Sequence, residues 1–176
     1  VMMAGGSISL KEVIPEQLEE PLILFQRAGA VVKRERERLF ICMKDRPDPL
    51  KISTGPYPGF PTDMQSVMMA AASIADGTSR IQENVFENRF CAAKELQKLG
   101  AHIIIENKLA VVDGVNALKG TRMAAEDLRG GAALAVAALA ADGTSFLDGY
   151  EHISRGYEDI AALLAPLGAR ITRSWG

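Results

Sequence analysis

The sequence predicts an α/β domain built from repeated units, each a strand, a buried helix, a second strand, an amphipathic helix and then two further strands. Three observations predict it. Paired glycine anchors recur three times, two helical stretches are apolar on every face, and short β-branched runs stand between the helices.

The anchors open "GGSISL…FQRAGAVV" from Gly5, "DGTSRI…LQKLGAHI" from Asp76 and "DGTSFL…LAPLGARI" from Asp142. Gly6 to Gly29 and Gly77 to Gly100 each span 23 positions, and Gly143 to Gly168 spans 25, so the third copy holds two extra residues. The repeat sets unit boundaries near 1–50, 51–118 and 119–176 within a single domain. Only "VMMA" precedes the first anchor, so the first unit is incomplete and the chain is expected to be a portion of a longer protein.

Taken in order, the first unit opens on a strand over Ser7–Leu10, after the turn chemistry of Gly5-Gly6. The following helix ends at Gly29-Ala30, where glycine suits a left-handed position after the last turn. Pro21 would cost about 3 kcal/mol inside that helix, so the helix is expected to start at Pro21 itself. "RERE" then connects a hairpin.

In the second unit "MQSVMMAAASIA" (64–75) is apolar all round, which requires burial on every side. A strand over Ser79–Gln82 follows, then the amphipathic "CAAKELQKLG", the strand "HIII" (102–105) and a hairpin turn at "ENK". The third unit repeats the scheme with "GGAALAVAALAA" (130–141) and a strand over Ser145–Leu147. Alanine keeps both buried helices thin enough for close packing.

Bulk composition narrows the function. With 176 residues and 48% apolar content the chain supports one sizeable core. Twenty basic and 22 acidic residues leave a net charge of -2, which argues against nucleic acid or an anionic membrane as partner. The longest apolar run, 132–141, falls well short of the roughly 20 residues of a membrane span. Cys42 and Cys91 form no disulfide framework, so a reducing cytoplasm is expected.

The repeat breaks its symmetry at polar positions. Fourteen residues before Gly77 stands Asp63, and 14 before Gly143 stands Arg129; 12 residues after the same glycines stand Arg89 and Arg155, where the first copy has Leu18. All four lie at or near expected helix starts, where free N–H groups and the helix dipole favour anions. If the units pack about a pseudo-threefold axis, these starts share one end, and two arginines there suit phosphate and carboxylate oxygens.

Asp63 sits in "YPGFPTDMQ", where prolines stiffen the approach to a helix start. The same residues also fit a capping box with Thr62 as cap and Gln65 at the third position. Arg129 can equally pair with Glu126 or Asp127, and Arg89 with Glu87, as surface ion pairs worth roughly 0–1 kcal/mol. His102 and His152 lack partners at metal spacing and read as structural, so no metal is expected; Cys42 reads as core, and Cys91, near a helix start, as core or a somewhat acidified thiol.

Four motifs in order, "TGPYPGFPTDMQ", "VFENRF", "DLRGGAAL" and "HISRGYE", resemble the enolpyruvyl transferases, in particular the UDP-N-acetylglucosamine 1-carboxyvinyltransferase family. The resemblance runs over nearly all of the chain and about half of the family's length. It implies an inside-out α/β barrel of three βαβαββ units with helices buried beneath sheets, one of two such domains, with ligands between them.

The implied reaction moves enolpyruvyl from phosphoenolpyruvate to the 3-hydroxyl of UDP-N-acetylglucosamine, through a tetrahedral intermediate and without a cofactor. Its setting is peptidoglycan precursor synthesis, and with it cell-wall biogenesis, cell shape and division. By motif, Asp63 is the implied general base, Val85 and Phe86 border the sugar nucleotide, Arg129 and Arg155 bind phosphoenolpyruvate, and Arg89 orders the interdomain site. Gly130-Gly131 stands where relatives often have Ala-Ser. The family's reactive cysteine, its lysine and its further arginines belong to the other domain, so this portion alone is expected to be inactive. The alternatives are 3-phosphoshikimate 1-carboxyvinyltransferase, which shares fold and donor, and a non-catalytic half-length binding or regulatory module.

Overall fold

The computed structural model describes residues 1–173. In chain order the elements are β1 (Gly6–Lys11), α1 (Glu19–Arg27), β2 (Val31–Glu35), β3 (Arg38–Met43), β4 (Lys51–Ser53), α2 (Gln65–Ala72), β5 (Thr78–Gln82), α3 (Ala92–Lys98), β6 (His102–Glu106), β7 (Leu109–Asp113), β8 (Arg122–Ala124), α4 (Leu128–Ala140), β9 (Phe146–Asp148), α5 (Tyr150–Ser154) and α6 (Ile160–Leu164). Short 3-10 turns at Pro15–Leu18, Thr62–Met64 and Ala165–Leu167 adjoin α1, α2 and α6.

Among the described residues the strands form three sheets, ordered β1-β3-β2, β4-β5-β7-β6 and β8-β9. β4 pairs with β5 and β8 with β9 in parallel, and the remaining pairs are antiparallel. Ile81 of β5 lies between Ile52 and Ala110 in register. All three point into the core with Val112 and Ile103, while Arg80 faces out, as the two-residue period of a one-sided sheet demands. Burying a side chain the size of Ile81 stabilises by roughly 1.5–3 kcal/mol.

Beneath the sheets α2 packs against α4. In α2 Met68 through Ala72 are buried, and in α4 Gly130 through Ala135 and Ala137. The C-terminal turn of α4 is only half-buried, so its apolar sequence overstates burial there.

The repeated Gly-Ala pairs stop their helices in one way. Gly29, Gly100 and Gly168 have φ of 94°, 95° and 93°. The next residues close the helix end, with Ala30 N–H donating to Phe25 O, Ala101 to Leu96 O and Ala169 to Leu164 O. This is the Schellman closure, which a side chain at positive φ would strain.

Three details differ from the sequence expectation. α1 begins at Glu19, two residues before Pro21, which falls in the first turn where its missing N–H is harmless. The third copy's amphipathic helix is split into α5 and α6. Finally, residues 170–173 repeat the pattern of β6 but form no strand. In the second unit β6 joins its sheet only through β7, so the run from 170 lacks a return strand among the described residues. No helix among the described residues is long and apolar enough to cross a membrane.

Candidate functional site

The proline loop after β4 folds back on itself. Gly59 N–H donates to Pro56 O at 2.7 Å, Gly55 N–H donates to Phe60 O at 3.0 Å, and the buried Phe60 ring anchors the return. Pro61 then leads into the 3-10 turn that carries Asp63 to the surface ahead of α2. The stiff approach therefore ends on a fixed residue.

The capping box does not form. Thr62 Oγ1 donates instead to Glu83 Oε2 at 2.9 Å, and Gln65 is buried, with its side chain against Ser66 and Met69. A tertiary partner has taken Thr62 from the local motif, while Gln65 bonds within its own helix.

Arg89 and Arg129 converge on Asp63. Arg89, in the turn before α3, donates through Nη2 to Asp63 Oδ1 at 2.7 Å, and Arg129, in the first turn of α4, donates through Nε to the same oxygen at 2.8 Å. The surface pairs with Glu87, Glu126 and Asp127 are replaced by this shared contact. Asp63 keeps 60% of its side chain exposed, so the pairs contribute little stability; they fix geometry.

Arg155 stands apart. It is exposed and follows α5 as its C-terminal cap, so it lies at a helix end where the sequence suggested a start. Fold symmetry placed it by count from Gly143, but the split of α5 from α6 turns that position into an end. The structure brings together Asp63, Arg89 and Arg129, and leaves Arg155 outside that set of bonds.

Val85 and Phe86 form an exposed turn after β5. Their N–H groups donate to Glu83 Oε1 at 2.8 and 3.0 Å, and the Arg89 guanidinium lies 5.2 Å from the Phe86 ring centre, within cation–π range. Glu83 is buried, which by itself would raise its pKa; the Phe86 and Val85 N–H groups and the Thr54 and Thr62 hydroxyls outweigh burial and hold it below the ordinary value.

Behind Arg129 lies a second carboxylate. Asp127 caps α4, its Oδ1 accepting from Arg129 N–H and Gly130 N–H, both at 2.8 Å, while its Oδ2 accepts from Cys91 Sγ at 2.6 Å. Burial works to raise the Asp127 pKa but is outweighed by the thiol, the two N–H groups and the Arg89 charge, which lower it. Cys91 is not acidified. Burial first, and then the facing carboxylate, push its thiol up to about 11.

Glu83 and the cap role of Asp127 are the parts of this rim that the sequence reading did not single out. Asp127 was findable as an Asp directly before an apolar helical run. Glu83 had no local signal, because its donors come from three separate segments.

Beside Arg89 an open groove of about 540 Å³ runs between α3 and the β6–β7 hairpin, lined by Phe86, Lys94, Lys108 and Glu126 among others. Asp63 and Arg129 lie outside it, on open surface. His102 is exposed, His152 is 4.0 Å from Glu151, and no group of metal-ligating side chains occurs among the described residues.

Comparison with known proteins bears on this rim. The family model described as EPSP synthase (3-phosphoshikimate 1-carboxyvinyltransferase) matches residues 1–164. A UDP-N-acetylglucosamine 1-carboxyvinyltransferase of Desulfofundulus thermocisternus is 48% identical over 169 residues, covering 96% of this chain and 70% of the relative. Another of that name, from Anaeromyxobacter sp. (strain Fw109-5), is 46% identical over 171 residues, covering 97% of this chain but 40% of its own. The enolpyruvyl transferase NikO from Streptomyces tendae superposes with a TM-score of 0.84 at 29% identity, over 98% of this chain and 41% of that one. The chain thus spans about two fifths of the length of several proteins it matches. With the matched model, the named relatives and the superposed structure in agreement, the chain belongs to the enolpyruvyl transferase family.

Proposed function

We propose that this chain is one domain's portion of a UDP-N-acetylglucosamine 1-carboxyvinyltransferase, and that its three units, near 1–50, 51–118 and 119–176, close as an inside-out barrel with α2 and α4 inside. The observation that carries the reading is the convergence of Arg89 and Arg129 on one oxygen of the exposed Asp63, with Val85 and Phe86 alongside.

Asp63 takes the proton of the sugar 3-hydroxyl as that oxygen bonds to C2 of phosphoenolpyruvate and a proton adds to C3, which opens the C=C bond; the tetrahedral adduct then loses phosphate from C2 and a proton from C3, which restores the double bond on the sugar. A carboxylate is a weak base toward an alcohol, with a reference pKa of about 3.9, so its placement and its timing with attack supply the catalysis. Arg129 and Arg155 hold the phosphate and carboxylate of phosphoenolpyruvate and the charge that develops on them. Arg89 bridges Asp63 to the Phe86 wall, which borders the sugar nucleotide.

Because the rim is open surface, a second domain is needed to exclude water, and turnover is assigned to the two-domain enzyme in the cytoplasm, serving peptidoglycan precursor synthesis. The test is phosphate release by the purified full-length gene product, given phosphoenolpyruvate with either acceptor. Release with UDP-N-acetylglucosamine supports the reading; release only with shikimate 3-phosphate defeats it.

A further inference from the structure

Glu83 is 1% exposed and faces no cation in hydrogen-bonding contact. A buried carboxylate without a counter-charge is costly unless donors surround it, and here they do. Oε1 accepts from Val85 N–H at 2.8 Å and Phe86 N–H at 3.0 Å, and Oε2 accepts from Thr62 Oγ1 at 2.9 Å. The backbone of Glu83 is itself pinned, its N–H donating to Lys108 O at 2.8 Å. Thr54 completes the frame, its Oγ1 accepting from Asn84 N–H at 2.9 Å.

These bonds join two segments that the sequence separates. Thr62 immediately precedes Asp63, and Val85-Phe86 form the exposed turn on the other side of Glu83. An ionised carboxylate is acceptor-only on both oxygens, which matches a ring made of donors.

We propose that Glu83 is a positioning residue for the acceptor, holding the turn of Asp63 and the turn of Val85 and Phe86 at one fixed spacing. The proposal rests on the reading of Asp63, Val85 and Phe86 given above. It assigns Glu83 no contact with either substrate. Its effect falls on the acceptor side because its bonds to Val85 and Phe86 lead to that wall and its bond to Thr62 leads to the base.

The experiment compares Glu83→Ala, Glu83→Gln and Thr62→Val in the full-length gene product, with KM for UDP-N-acetylglucosamine and phosphoenolpyruvate measured separately. Glu83→Ala should raise acceptor KM and lower kcat about tenfold each, the scale of one or two lost hydrogen bonds, with donor KM within about twofold. Glu83→Gln keeps an oxygen for the two N–H groups, and the Thr62 hydroxyl turns to accept, so acceptor KM should return to within about threefold. Thr62→Val should lower kcat more than it raises acceptor KM.

An unchanged acceptor KM in folded Glu83→Ala, or equal rises in both KM values, overturns the proposal. Should Glu83→Ala fail to fold, Thr62→Val decides alone, and an unchanged kcat overturns it. A wild-type protein inactive on this substrate pair defeats the functional reading instead. In that event hydrogen exchange at the Val85 and Phe86 amides still tests the tie: Glu83→Gln should leave it slow and Glu83→Ala, or Thr62→Val if that variant is unfolded, should quicken it about tenfold, and no change overturns the proposal.

Discussion

Arg129 and Asp63 stand 66 positions apart in the sequence and meet in the fold, Arg129 Nε donating to Asp63 Oδ1 at 2.8 Å. The contact exists because α2 packs on α4 with their first turns at one end, so each helix delivers its charged residue to a common rim.

Asp63→Asn removes the base while keeping shape and one acceptor oxygen. In the full-length gene product turnover should fall by on the order of 10² to 10⁴, with circular dichroism unchanged. Near-normal turnover would reduce Asp63 to an anchor for two arginines.

Arg129→Ala should weaken capture of phosphoenolpyruvate by about 1.5–3 kcal/mol, the range for a charged hydrogen bond, read as a higher donor KM. Its ion pair with Asp63 is exposed, so the urea midpoint should report a loss of only about 0–1 kcal/mol. A large loss of stability with donor KM intact would contradict the assignment.

Cys91 should resist alkylation. With its thiol pushed up to about 11, iodoacetamide at neutral pH should label it roughly 100-fold more slowly than an unfolded control. The sign of the linked stability follows. The folded state holds the proton more tightly, so this contribution is whole below the unfolded thiol pKa of about 8.5 and is lost as pH rises toward 11. Denaturation midpoints that hold flat through that window in wild type, compared with Cys91→Ala, would refute the account.

Asp127→Ala strips the cap from α4 and the acceptor from the Cys91 thiol together. Loss of an N-cap costs about 0.5–2 kcal/mol, measurable as a lower Tm. Removal of the carboxylate should also bring the thiol pKa down, so alkylation at Cys91 should quicken as stability falls. An unchanged labelling rate would show that burial alone sets the thiol.

Much of the fold was legible because its signals are local. A Gly-Ala pair stops a helix wherever it occurs, and the three copies close alike at Gly29, Gly100 and Gly168. All-round apolar runs must be buried, and α2 and most of α4 are. The count from each glycine also picked out Asp63, Arg89 and Arg129 before any partner was known.

What the sequence by itself determined, then, was the repeat, the helix stops, the buried helices and the candidate charged positions, because each depends on neighbours within a few residues. Tertiary structure alone decided the partners. Thr62 chose Glu83 over a cap, Arg89 and Arg129 chose Asp63 over adjacent acids, and Cys91 met Asp127, while Arg155 fell at a helix end. A side chain takes the best-placed partner in space, and packing brings distant segments closer to it than its neighbours in sequence.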